Sequence, residues 1–341
     1  MFKNFDPSRD IRQRTTPINE LIVIDRSIFT GTAAVGETNI KNFVHWTSGA
    51  VSGTLFQTLY NTNYTSASAV ALANITYGQS ISSSYYLNAL ATNKQEKSKI
   101  YRLFAKYLLG DEDQLFSISG SSKNELIFLS VARSQMKDEL KKQTFTLDST
   151  FSGSRTSRFS SKTFQDTNAA SAYNQSIRGD FAPLYSGSQI GGLLYYQAGI
   201  AVLVPEIFSN TSSQATNAGN IWSGTADYDT LAMSGNYNDL LNGVRYRFTN
   251  LSLINQSNLQ ASFYYCRMLN DEFNYSSNPS FVDTSGRILT TSGSTNYGAT
   301  TYTTKIALLD ENNSILAVAS LNQPIKKDAS IEQLLAIRLD Y

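Results

Sequence analysis

The chain has one cysteine and one histidine in 341 residues, and charged residues make up only 16% of it. The lone cysteine, Cys266, excludes an intrachain disulfide. With a single histidine beside it, metal sites built from several Cys or His ligands are excluded by count. Long apolar runs are missing too. The most apolar stretch, residues 192–208 (GLLYYQAGIAVLVPEIF), is cut by Pro205 and falls short of the ~20 residues that a membrane-spanning helix needs. The opening MFKNFDPSRD carries no apolar segment of the secretory kind, so the expectation is a chain that is not a secretory precursor. Neither sign of charge dominates: 28 Lys and Arg stand against 27 Asp and Glu. That balance supplies no long-range field for nucleic acid or for a lipid surface, and neither is expected as a partner.

Catalytic signatures are also lacking. There is no phosphate-cradling G-x-x-x-x-G-K-[ST], no dinucleotide-binding G-x-G-x-x-G and no G-x-S-x-G. His45, next to Trp46, could serve as a base only if a nucleophile motif accompanied it, and it reads as a packed or solvated ring. Cys266, in SFYYCRMLN, reads as a small buried residue on a strand. The acidic cluster Asp111-Glu112-Asp113 reads as a solvated helix exit, without the spacing of a calcium loop. No catalytic, cofactor-binding or metal-ligating residue is singled out, no cofactor is expected, and the expectation is a protein that is not an enzyme.

Ser, Thr, Asn and Tyr fill the space that charge leaves. The chain has 20 tyrosines, which read as contact area with polar tips, suited to meeting other subunits. The pattern predicts a β-dominant α+β fold, with antiparallel sheets, a few short helices and long polar loops. Residues 1–20, with Pro7, Pro17 and several arginines but no period, read as an extended arm directed at another chain. Residues 21–148 read as a mixed α/β region and 149–341 as a β-rich region with a C-terminal hairpin. Within them, residues 47–92 read as irregular structure with short helical turns. A helix follows, capped by Asn93 and Gly110, with Ile100, Leu103, Phe104, Tyr107 and Leu108 on its packed face. The run 125–131 reads as a strand leading into a helix through Ala132, Met136 and Leu140. The Ser-rich FSGSRTSRFSSK reads as an exposed loop. The apolar stretch reads as one buried strand, its even-numbered face thickly covered and its odd face thinly, with Gly199 at a bulge or close approach. TTKIALLD and SILAVASL, joined by an Asn-rich turn, are expected to form a hairpin, with residues 331–341 adding a third strand.

Several segments in order carry a resemblance. FKNFDPSRDI and TTPINELIVIDRSIFTG near the start, FLSVARSQMKDELKKQTFTL, GGLLYYQAGIAVL, and FNYSSNPSF with IRLDY near the end resemble virion structural proteins of marine contractile-tailed phages. These are the T-even-like phages of cyanobacteria and related bacteria. The resemblance implies a non-enzymatic structural subunit of a phage contractile tail, made in the host cytoplasm and carried in the virion. It implies placement in the baseplate wedge region, contact with other tail and baseplate proteins, and several copies in a symmetric assembly. The alternative from the residues is a carbohydrate- or receptor-binding tail module, in which exposed Tyr and Trp stack on sugar.

Overall fold

The computed structural model describes residues 3–31, 37–47, 50–87, 94–153, 158–208, 221–223, 226–233, 237–276, 278–288 and 300–340. The fold is β-dominant α+β with a large antiparallel sheet and few short helices, as the pattern predicts. Contacts divide the chain into two compact units, Ile18–Ser257 and a second that joins Met1–Pro17 to Asn258–Tyr341. The three segments read from the sequence, 1–20, 21–148 and 149–341, do not coincide with these units. The strand Ile11–Asp25 neighbours Phe248–Met268, so pairing gathers segments from opposite ends of the chain.

In the unit 18–257, consecutive neighbours in the sheet are residues 248–257, then Thr146–Gly153, Arg158–Gln165, Gly179–Ser186, Gln189–Tyr195, Ile200–Leu203, Glu125–Val131, Ala71–Gln79, Ala50–Tyr60 and Ile40–Thr47. Every neighbouring pair is antiparallel. Glu125–Val131 is an interior strand, between Ile200–Leu203 and Ala71–Gln79, and its Leu126, Ile127, Phe128 and Leu129 are buried. A strand covered on both faces reads as such an unbroken apolar run. Residues 47–92, expected to be irregular, instead contribute two of the sheet's strands. Their Ala, Thr and Asn side chains are small enough for close packing, and Thr58 donates to Asn74 across the pair at 2.6 Å.

The helix Lys94–Leu108 forms where its period places it, although Asn93 lies outside the described residues. Gly110 takes a φ of +97° and its N–H donates to the Ala105 carbonyl at 3.2 Å, closing the helix. The packed face is rotated from the expected one. Leu103 is 62% and Tyr107 40% exposed, whereas Lys97, Ser98, Tyr101, Ala105 and Leu108 are buried. The rotation follows from two contacts that no period reveals. Gly78 admits the helix so closely that a Cβ there would lie 2.7 Å from the Tyr101 backbone nitrogen. Lys97 tolerates burial because its ammonium finds two carbonyls. Phe104 stacks on Phe128 at 4.0 Å between ring centroids.

The apolar stretch is two strands, not one. Gln189–Tyr195 turns back into Ile200–Leu203, with Tyr195 opposite Ile200. Gly199 makes the turn at φ +66°, against the Met136 side chain, the close approach its position predicts. Neither face is thinly covered: Leu193, Leu194, Ala201, Val202 and Leu203 are all buried. The expected helix through Leu140 also stops early. It spans Arg133–Met136, because Lys137 takes φ +61° and the chain re-enters extended structure at Glu139–Leu140. The Ser-rich segment expected as a loop pairs as Thr146–Gly153 with Arg158–Gln165, with residues 154–157 outside the described ones. Hydroxyls are at home on a strand when a neighbour accepts from them, as Asp148 does from Thr163 at 2.5 Å.

In the other unit, the strand expected at the C-terminal end forms as Gln333–Asp340, but it pairs antiparallel with residues 261–268 rather than adding a third strand to the hairpin. The hairpin forms as predicted, Thr301–Leu309 against Ile315–Lys327, as a separate two-stranded sheet.

Candidate interaction surface

The residues that carry reactive groups are scattered. His45 lies on Ile40–Thr47, and its side chain is outside the described residues. Cys266 lies on the expected strand but is only partly buried. Burial, with the Asp10 carboxylate adding to it, pushes its thiol above the ordinary value, which disfavours the reactive thiolate. At the helix exit, Arg102 forms ion pairs with Glu112 and Asp113. No group of three or more His, Cys, Asp or Glu arranged to hold a metal occurs among the described residues.

Perturbed titratable groups gather instead inside the unit 18–257. The Lys97 ammonium is fully buried and donates to the Leu231 and Ala232 carbonyls at 3.0 and 2.8 Å. Burial holds its pKa down to about 8. The Tyr77 and Tyr228 hydroxyls meet at 3.0 Å, and burial pushes both well up. Ser83 donates to Glu125, whose carboxyl is raised by burial. Such shifts mark active sites only when the groups face a substrate-sized opening. The Lys97, Tyr77, Tyr228 and Ser83 groups bond one another, Glu125 and backbone, and these contacts fasten the helices Lys94–Leu108 and Tyr228–Met233 to the sheet, while the buried Gln79, opposite Glu125, has neither amide atom paired.

Many tyrosines serve the same internal purpose, against the surface role expected of them. Tyr77, Tyr101, Tyr195, Tyr196 and Tyr237 are buried, and Tyr196 donates to the buried Asp166 at 2.8 Å. The segment read as an arm is likewise engaged with its own unit. Asp6 caps the short helix Pro7–Asp10, Lys3 pairs with Glu272 at 2.5 Å, and the Phe5 ring meets Tyr264 edge-on at 5.8 Å.

An apolar surface is left open on the C-terminal hairpin. Its base is held by the buried Thr301, which donates to the Phe273 carbonyl at 2.8 Å, and by the buried Lys327, which donates to Asn274 at 2.8 Å. Beyond the base the two faces differ. Cross-strand register puts Ile306 with Ala319 and Leu308 with Ala317 on one face, and these are partly or fully buried. The opposite face carries Lys305 with Ser320, Ala307 with Val318, and Leu309 with Ile315. On it Val318 is 55% and Ile315 66% exposed, with the bulged Leu316 beside them at 68%. Residues directly opposite in an antiparallel pair share a face, so these side chains form one patch. The alternation of the two runs could have located this face. Which side lies open is decided by packing alone.

No protein-family model, curated protein or solved structure matches this chain.

Proposed function

We propose that this chain is a non-enzymatic structural subunit of a phage contractile tail, in the baseplate wedge region, working through protein–protein contacts. The observation that carries the reading is the open face of the hairpin, with Ile315, Leu316 and Val318 all more than half exposed. A two-stranded hairpin is only marginally stable in water by itself, and contiguous exposed apolar side chains mark contact sites. The ordered resemblance of segments at both ends and in the middle supplies the tail context. The mechanism is geometric: a rigid sheet holds position while exposed strands and turns meet neighbouring subunits.

The test is electron microscopy and mass spectrometry of particles from the phage that encodes the chain. The expected result is density fitting this fold in the tail, with the hairpin face covered by another chain. Absence of the protein from purified particles, or a hairpin face open to solvent in the assembled tail, overturns the reading.

A further inference from the structure

We infer that the open face of the C-terminal hairpin docks a second copy of this chain, the two hairpins packing face to face and antiparallel about a two-fold axis. The inference deepens the reading of this face as a contact site and rests on it. The argument is the order of groups along the face. Lys305 lies at its base-proximal end, Ala307, Val318, Leu309 and Ile315 fill its middle, and the turn with the exposed Glu311 ends it. Positive, apolar, negative: the sequence of charges is its own complement when reversed. A two-fold axis midway between the Ala307–Val318 and Leu309–Ile315 pairs sets each apolar centre on the other and brings each Lys305 over the partner copy's acidic turn. A self-complementary patch of this kind is what a two-fold interface requires. Sheets stack face to face at about 10 Å, a gap that a lysine side chain bridges.

Adding a strand along the edge of Ile315–Lys327 fits less well. In pairing with the Thr301–Leu309 strand, the extra residues of both irregularities fall on Ile315–Lys327, around Leu316 and Leu321–Pro324. Bulges and proline blunt a strand edge against adding a further strand. Face packing needs no free edge. The patch is small beside a standard interface of 20–30 residues a side, so the dimer is weak in solution and gains strength from repetition in an assembly.

Sedimentation of the purified full chain, from low micromolar to about 1 mM, tests the inference together with two charge reversals. Lys305 and Glu311 are both exposed, so the reversals leave the fold intact, which circular dichroism checks. The wild type is expected to dimerise reversibly. Lys305→Glu and Glu311→Lys each put like charges face to face at both ends and weaken the dimer by about tenfold. The double variant restores it. A chain monomeric at every concentration, the behaviour of a face made for a different protein, overturns the inference. So does a dimer that ignores the single reversals, or one that the double variant fails to recover. A monomeric chain found in phage tails would leave the proposed function standing, and a dimerising chain absent from particles would do the reverse.

Discussion

The Tyr237 hydroxyl takes the place of a missing ladder partner for Tyr77. It accepts from the Tyr77 N–H at 3.0 Å and donates to the Tyr77 carbonyl. Pairing between Ala50–Tyr60 and Ala71–Gln79 ends at Gln57 and Ile75, leaving the next strand residues to find other partners. A side chain from the helix Tyr237–Arg247 meets that need and ties the helix to the sheet in the same contact. Tyr237→Phe keeps the ring and removes both bonds. Leaving two buried backbone groups unpaired is expected to cost roughly 2–4 kcal/mol in denaturant unfolding. A loss below half a kilocalorie would mean that other groups satisfy Tyr77.

The burial of Lys97 predicts a pH dependence. Its native pKa is about 8 against an ordinary 10.5. Below pH 8 the native and unfolded chains both hold the proton, and this group adds no slope. Between pH 8 and 10.5 the unfolded chain holds more of it, so its contribution to stability rises with pH, by on the order of 3 kcal/mol. The buried tyrosines, raised from 10.0, act in the opposite direction as the unfolded chain begins to lose their protons. The readout is therefore the difference in unfolding free energy between wild type and Lys97→Met. That difference should shift in favour of the wild type from pH 8 to 10.5, and a flat difference refutes the assignment.

Gly78 is predicted to resist even alanine. The nearest atoms to an added Cβ are the Tyr101 backbone nitrogen and Cα at 2.7 and 2.9 Å, and backbone cannot swing aside as a side chain can. Gly78→Ala should cost about 1–3 kcal/mol or more, because the helix must move off the strand. Chemical denaturation measures it, and a neutral result would show that the helix is seated more loosely than the contact implies.

The two faces of the hairpin should respond differently to truncation. Leu308 is 5% exposed, and Leu308→Ala is expected to cost about 2 kcal/mol or more. Val318→Ser, at 55% exposure, should leave folding stability within about 0.5 kcal/mol while weakening association. Thermal unfolding and sedimentation of the two variants separate these effects. A large stability loss at Val318 would mean that this face is packed in the monomer.

What could be read from residues alone was local. Alternation in TTKIALLD and SILAVASL, with Asn residues between them, specifies a hairpin because side-chain period and turn chemistry act within a few residues. Gly110 and the period of Ile100, Phe104 and Leu108 specify a helix for the same reason. The abundance of aromatic and β-branched residues is enough to make the chain β-dominant.

The rest depended on partners far along the chain. Whether Leu103 or Tyr101 faces inward turns on Gly78, and whether Lys97 can be buried turns on carbonyls at Leu231 and Ala232. The apolar stretch folds in two because Gly199 can take a left-handed turn beside Met136, a neighbour the period of the stretch cannot reveal. For the hairpin, alternation defines two faces but not which of them stays open. That is settled by what packs over Leu308, a contact among residues brought together only when the chain has folded.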